Sequence, residues 1–270
     1  SGPVSSGARP DGRWVREEVG VATVVTVMDR DGFDQRTDNI VVVQPRRRRL
    51  LWVPRAVWCE PIGDRINGAF CAGGHAGLLT GLASLGMAVD HSVCVPRAAV
   101  ERALADVVVS VPVTEPLRFW YPLDPRTRVQ DGRKPVDFQP PREELSGERI
   151  HQWLGARHGR DAAVPASDLA RIRRQQVFVR ALLRQGFDFA ALLDDPDPPW
   201  SSDAAALADL RRVRSWWRLC SADQVDDRVV DGLQVLELRS PEPKPPRWRR
   251  AVVRGLGRLR PGSGRGWLGG

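Results

Sequence analysis

An arginine and an aspartate with one threonine between them, Arg36-Thr37-Asp38, stand just before a strand-forming run, Asn39 and then the β-branched Ile40-Val41-Val42-Val43. A second arginine, Arg55, closes another apolar run, Leu50-Leu51-Trp52-Val53-Pro54. Two strands that each deliver charge at one end describe the rim of a site. A guanidinium matches the oxygens of a phosphate, and a carboxylate suits the hard cation that accompanies it. Further along, Arg171, Arg174 and Gln175 fall at i, i+3 and i+4, on one face of a helix. Such residues suit phosphoryl chemistry, where alignment and charge neutralisation do most of the work. A surface ion pair and a solvated helix face are the competing explanations.

The elements that must position these groups read as alternating strands and helices. Residues 21–28, 40–44 and 50–54 read as strands, the last two joined as a hairpin by a short turn. A helix is expected over 72–85, a strand over 91–95, a helix over 98–104 and a strand over 107–113. Residues 121–144, rich in Pro, Asp and Arg, read as a long excursion or lid. Helices are expected over 148–157 and 169–185, the second capped by Asp168, and over 204–219, carrying Trp216 and Trp217. Residues 233–238 alternate as a late strand. This mixture gives α/β layers.

At 270 residues the chain can bury a full core as one α/β domain, expected over 14–240. Residues 1–13 read as a flexible N-terminus, and 241–270 as a Pro-rich linker with a basic tail. In that tail Trp248, Val252, Leu256 and Leu259 recur at helical spacing among arginines. An anionic membrane surface touching 247–260 and a disordered tail are the two readings. The net charge of +8 is compatible with any anionic partner. Nucleic acid is not expected, because no aromatic-basic recognition motif accompanies the charge. The four cysteines form no Cys-x-x-Cys pair, which argues against a zinc site and for small buried residues; a Cys59–Cys71 disulfide stays open. Most tryptophans, including Trp52, Trp153 and Trp216, are expected in the core, with some lining an apolar channel. The four histidines, with no metal-binding spacing, read as structural or surface residues. No window reaches the length of a membrane span, and no nucleophile elbow, Walker loop or dinucleotide fingerprint occurs.

Four segments, in order, resemble the LytR-CpsA-Psr family: Arg36-Thr37-Asp38-Asn39-Ile40, Trp52-Val53-Pro54-Arg55-Ala56, Arg65-Ile66-Asn67-Gly68-Ala69-Phe70, and Asp168 through Arg171, Arg174, Gln175 and Gln176. The resemblance spans roughly residues 20–185. It implies a three-layer α/β/α domain with a central mixed sheet and an apolar tunnel. It also implies a transferase that moves a phosphoglycosyl group from a polyprenyl-diphosphate carrier to a cell-wall acceptor with Mg²⁺. On this resemblance Asp38 and Asp29 are the metal ligands, and Arg36 and Arg55 act beside Asp38 in catalysis. Arg65, Asn67, Arg157, Arg171, Arg174 and Gln175 bind substrate. The family's usual place is the outer face of the cell membrane behind an N-terminal anchor; a natural chain without one would be cytoplasmic.

Three departures stand out: Ala56 replaces an aspartate of the family pattern, Gly155 replaces the first of two paired arginines, and Ala105-Asp106 stand where the family has a Gly-Gly before a late strand. They keep two alternatives open on the same scaffold. One is a soluble phosphatase or terpene cyclase acting on a free prenyl diphosphate, with aromatic faces steadying a carbocation. The other is a non-catalytic module that binds a lipid diphosphate.

Overall fold

Runs of valine, isoleucine and threonine with few helix formers dictate the first three strands, because branched side chains pack well on a pleated surface. In the computed structural model these are β1 (Thr23–Met28), β2 (Thr37–Gln44) and β3 (Arg49–Val53). The structure describes residues 22–28, 36–123, 132–161, 167–189, 200–201, 204–222 and 224–239. Expectations for Asp29, for 1–13 and for the tail from 241 lie outside the described residues.

β2 and β3 form the expected hairpin across a 3-10 turn, Pro45–Arg47. Two short strands follow, β4 (Trp58–Cys59) and β5 (Asp64–Arg65), then helix α1 (Ala69–Ser84). The helix begins three residues before the expected 72–85, and the Gly73-Gly74 pair inside it kinks it, with Gly74 at φ +57°. Next come β6 (His91–Val95) and α2 (Arg97–Ala103). β6 runs parallel to β1, while β2 runs antiparallel to both β1 and β3.

The expected lid over 121–144 lies outside the described residues at 124–131, and is largely sheet in the part that is described. β7 (Val109–Pro112), β8 (Leu117–Pro122), β9 (Arg133–Phe138) and β10 (Arg142–Leu145) pair as β10–β7 and β8–β9. Phe119 and Tyr121, then Val136 and Phe138, alternate inward and are buried. That period-two pattern outweighs the dense Pro and Arg.

Helix α3 (Glu148–Gly155) leads to β11 (His158–Gly159), which extends β8 and β9 to three strands. Helix α4 (Asp168–Arg184) is capped by Ser167, whose Oγ accepts from the Ala170 N–H at 3.1 Å. Asp168 is thus the first helical residue rather than the cap, leaving its carboxylate for other partners.

β12 (Trp200–Ser201) and helix α5 (Ala204–Leu210) follow. The helix expected over 204–219 stops at Leu210. Its remainder turns into β13 (Arg218–Ser221), which pairs in parallel with the outer edge of β3. Closing that edge satisfies a row of backbone groups a longer helix would leave open. It also separates the adjacent tryptophans: Trp217 is buried, whereas Trp216 is exposed rather than in the core. A ribbon of β14 (Val225–Val230) and β15 (Leu233–Leu238) ends the described chain.

The central mixed sheet has the order β12-β6-β1-β2-β3-β13. Alternation along each strand splits its side chains between two cores. Val24, Ile40, Val42 and Val53 pack with Ile66, Leu78 and Leu82 on the α1 side. Val43, Leu50, Trp52 and Val95 pack with Ile172, Leu183 and Leu210 on the other. Each such buried aliphatic side chain contributes about 1.5–3 kcal/mol. A third cluster joins Phe119, Phe138 and Trp153 to Phe178 and Leu182 of α4, so α4 is packed on both flanks.

All four cysteines are free thiols: Cys59 and Cys94 are buried as expected, Cys220 is half-buried and Cys71 is exposed. Burial pushes the Cys94 thiol up to about 11, and raises Cys59 as well. At pH 8 only about one Cys94 in a thousand would be thiolate. Mass-spectrometric alkylation of the folded protein should therefore label Cys71 first and leave Cys94 and Cys59 unmodified. A disulfide-linked peptide joining Cys59 to Cys71 would contradict the structure.

Candidate active site

The start of β2 is irregular, and the irregularity aims the chemistry. Val27 of β1 pairs with Asn39 and Met28 with Thr37, so Asp38 has no partner in the register. A bulge of this kind re-aims side chains. Here both Asp38 and Asn39 reach the same cavity instead of pointing to opposite faces.

Two guanidinium groups converge on Asp38. Arg55 Nη1, delivered by the chain just after β3, meets Asp38 Oδ1, and Arg171 Nη1, from the first turn of α4, lies 3.4 Å from the same oxygen. Arg171 Nη2 also donates to the Asp38 carbonyl oxygen at 3.2 Å. Asp168 closes the group: its Oδ1 accepts from Arg171 Nη2 at 2.8 Å and lies 3.7 Å from Arg55 Nε, and its Oδ2 accepts from the Arg55 backbone N–H at 3.1 Å. Two carboxylates and two guanidiniums thus alternate around one point. Arg171 is only 3% exposed, so its charge depends on these partners.

Through Asp38, the one member of the quartet that lines it, this group borders an apolar cavity of about 230 Å³ between the sheet and helices α2, α3 and α4. Val25, Val41 and Val43 form its floor, and Phe178, Val179 and Leu182 its roof. Arg97, at the start of α2, lines it too, bonded to Glu101 at 2.9 Å and beside the Tyr121 hydroxyl. Burial raises the Tyr121 pKa, while the nearby Arg97 cation pulls it down. Arg97 and Glu101 thus add a second ion pair to the cavity wall beside a quartet whose own charges cancel. His151, expected to be structural or superficial, also lines the cavity and lies 3.9 Å from Glu101.

The remaining expected site residues fall into different places. Gln175 lines the cavity and donates to the Leu154 carbonyl at 3.3 Å. Arg174 shares its helix with Arg171, but its hydrogen bonds go to the Trp153 and Ala156 carbonyls, and its guanidinium lies 4.5 Å over Phe119. It ties α3 to α4. Burial pushes its pKa down to about 10, so it stays charged at neutral pH. Arg36 turns to Asp64 at 3.0 Å and Asn67 at 3.5 Å, while the Asn67 carbonyl accepts from Thr37 at 3.4 Å. Arg65 donates to the Gln234 carbonyl at 2.6 Å. Arg36 and Asn67 therefore brace the approach to α1, Arg65 ties the same segment to β15, and Arg157 is exposed and not part of the cavity wall.

Among the described residues five buried side-chain atoms lack a hydrogen-bond partner: Trp58 Nε1 and Arg65 Nε lie away from the cavity, and the other three are Asn39 Oδ1, Gln175 Oε1 and Arg171 Nε. Each such atom costs about 1–3 kcal/mol unless something satisfies it. These three belong to the cavity wall or the quartet, where a polar ligand could satisfy them. Among the described residues no three acidic, histidine or cysteine side chains gather around a metal. The oxygens of Asp38 and Asn39 nevertheless fit a hard dication that takes its remaining coordination from phosphate and water.

Three contributors escape a reading of the residues alone. Asp168 stands at i, i+3 to Arg171, a spacing that signals an ion pair. Arg97 ends a Val95-Pro96-Arg97 sequence that repeats Val53-Pro54-Arg55 at a second strand end. Asn39 owes its place to the bulge.

The family profile described as LytR_cpsA_psr matches residues 20–197. Comparison with curated proteins finds no match. Among solved structures the chain is similar to TagT bound to LI-WTA, at 17% identity and TM-score 0.57, over 93% of this chain and 95% of that one. It is similar to TagU of B. subtilis at 16% identity and TM-score 0.51, over 88% and 95%. A protein described as a transcriptional regulator from Enterococcus faecalis aligns at 17% identity and TM-score 0.56, over 81% of each chain. At these identities the likeness shows a shared fold.

Removing Asp168 would leave the Arg171 charge buried with half its partners and the Arg55 N–H without its acceptor. Breaking such a group costs about 3–5 kcal/mol. Urea denaturation of Asp168→Ala should show a loss of at least about 3 kcal/mol, whereas Asp161→Ala, at an exposed pair with Arg118, should change stability by under about 1 kcal/mol.

Proposed function

The chain belongs to the LytR-CpsA-Psr family, whose members transfer glycopolymers onto the bacterial cell wall, and on that premise we propose that it is a Mg²⁺-dependent phosphotransferase acting on a polyprenyl-diphosphate-linked glycopolymer. The observation that carries the reading is the charged quartet at one end of an apolar cavity, with buried polar atoms beside it that lack partners. A molecule that is apolar along its length and anionic at one end is complementary to both parts. Two solved structures of TagT are described as bound to LI-WTA and to LIIa-WTA, which supports a lipid-linked polymer as the donor.

In this reading the isoprenoid chain lies against Val25, Val41 and Phe178. The diphosphate comes to rest at Arg55 and Arg171, with Arg97 across the cavity. An acceptor hydroxyl attacks the phosphorus that carries the sugar. A new oxygen–phosphorus bond forms, the diphosphate bridge breaks, polyprenyl phosphate leaves, and the hydroxyl proton passes to solvent. Arg55 and Arg171 neutralise charge on the leaving phosphate without moving, because Asp38 and Asp168 hold them in advance. Asp38 and Asn39 would hold Mg²⁺, which when bound supplies a further positive charge to the diphosphate oxygens. Apolar walls exclude the water that would otherwise hydrolyse the donor.

One observation favours a second reading. Trp52, Tyr121, Phe178, Phe187 and Phe189 all line the cavity, and aromatic faces stabilise a carbocation released when a prenyl diphosphate ionises. On that chemistry the products would be inorganic diphosphate and a hydrocarbon or prenol, rather than a phosphodiester and polyprenyl phosphate.

Incubation with farnesyl and geranylgeranyl diphosphates and with a polyprenyl-diphosphate-linked sugar, with and without Mg²⁺, separates these outcomes by mass spectrometry. Mg²⁺-dependent turnover is expected. Asp38→Ala and Arg55→Ala should each lower it by about a hundredfold or more, the scale set by removing one preorganised charge-stabilising group. Undiminished turnover in both variants would exclude the quartet as the site of chemistry.

A further inference from the structure

The quartet marks one end of the cavity. The other end carries a different kind of surface. Along β2 and β3 the cavity wall runs from Asp38 to Val43 and Leu50, and is continued there by Leu210 and Val213. Six residues of strand separate Asp38 from Gln44, about 20 Å. Directly outside that far end lie the turn that joins β2 to β3 and the segment that joins α5 to β13.

Residues 45–49 and 211–218 contain eight arginines, Arg46, Arg47, Arg48, Arg49, Arg211, Arg212, Arg214 and Arg218, and no acidic residue. The two segments are held side by side: the Arg218 N–H donates to the Arg48 carbonyl at 2.9 Å, and β13 pairs with β3 from Arg218↔Arg49 onward. Arg46, Arg48, Arg211, Arg214 and Arg218 are exposed. Asp209 offsets only Arg212, at 3.4 Å, and is itself buried. Burial lowers the pKa of Arg49, and Arg47 and Arg218 beside it push the same way. In the middle of this cationic surface stands Trp216, 58% exposed, with the Arg48 guanidinium 4.9 Å above its ring.

Apart from its contacts with Arg48 and Trp217, the indole is open to solvent, where its exposed ring gains nothing for stability, and like charges packed together cost it. Both features are at home at one kind of boundary. Tryptophan settles at the headgroup level of a bilayer, where its apolar ring and its N–H find different surroundings, and clustered arginines are drawn to anionic headgroups. Among the described residues no helix is long and apolar enough to cross a membrane, so this surface would lie on the bilayer, not in it.

We propose that the face formed by residues 45–49 and 211–218, with Trp216 at its centre, docks the domain onto an anionic phospholipid surface. Docking there sets the apolar end of the cavity against the bilayer and turns the quartet away from it. A lipid-linked substrate would then meet the protein with its tail toward the cavity end walled by Leu50, Leu210 and Val213.

The test uses the full chain and vesicles that contain no prenyl lipid, so it is read independently of any turnover. Binding to phosphatidylcholine vesicles with and without phosphatidylglycerol is measured by sedimentation for the wild type, for Trp216→Ser, and for the triple variant Arg46→Gln, Arg48→Asn, Arg218→Gln. Asparagine is chosen at 48 because the residue there has φ +51°, which asparagine tolerates. The wild type is expected to bind only the anionic vesicles and to release them as salt rises. Each arginine near an anionic surface is worth about fivefold in affinity, so the triple variant should bind about a hundredfold more weakly. Trp216→Ser should weaken binding as well, with the melting temperature of both variants unchanged. Wild-type affinity in the triple variant would overturn the proposal and assign binding to another part of the chain, the basic tail included. Equal binding to neutral vesicles, or binding to soluble polyphosphate with none to vesicles, would also overturn it.

Discussion

Asp38 is shared by two guanidinium groups that reach it from different elements, and the placement of β2, β3 and α4 answers to that sharing. Arg55 arrives from the end of β3, and Arg171 from the first turn of a helix 133 residues along the chain. Asp168 then grips both arginines from the other side. Removing four charges from water costs about as much as their mutual attraction returns, so the quartet's main consequence is positional. It fixes a carboxylate and two cations at one end of an otherwise apolar cavity. The surrounding packing is arranged so that this can persist: α4 is pinned on one flank by Ile172 and Leu183, and on the other by Phe178 and Leu182.

That arrangement divides labour among arginines that look alike in the chain. Arg171 is buried to hold Asp38, and Arg174, one turn later, is buried to hold the carbonyls of α3. Arg97 lines the cavity, paired with Glu101, and Arg55 stands behind Asp38 at its end. Arg36 braces Asp64 and Asn67. Outside the far end of the cavity, the arginines of 45–49 and 211–218 are exposed and crowded around an exposed tryptophan. One residue type thus serves three physical roles, distinguished by burial and by the acceptors nearby.

Much of this was legible in the residues. The β-branched runs specify β1 to β3, the hairpin follows from the short turn at 45–49, and charge at the strand ends points to Asp38 and Arg55. What escaped depends on partners distant in the chain. The bulge at Asp38 exists only in the register between β1 and β2, so no local pattern announces Asn39. Spacing alone puts Arg171 and Arg174 on one face, but the carbonyls of Trp153 and Ala156 capture one of them. Residues 204–219 have helical composition, yet the open edge of β3 draws 218–221 into the sheet. Dense proline and arginine hid the alternation of Phe119 with Tyr121 and of Val136 with Phe138. In each case tertiary pairing outweighed a local preference.

The central claim is that an anionic headgroup sits at the quartet while its apolar chain fills the cavity beside it. A crystal structure of the protein with a non-hydrolysable prenyl diphosphate tests this most directly. The account predicts phosphate oxygens within hydrogen-bond distance of Arg55 and Arg171, and isoprenoid carbons between Val41 and Phe178. Diphosphate bound elsewhere, such as in the groove lined by Arg142, Arg173 and Arg180, with the cavity beside Asp38 empty, would contradict it.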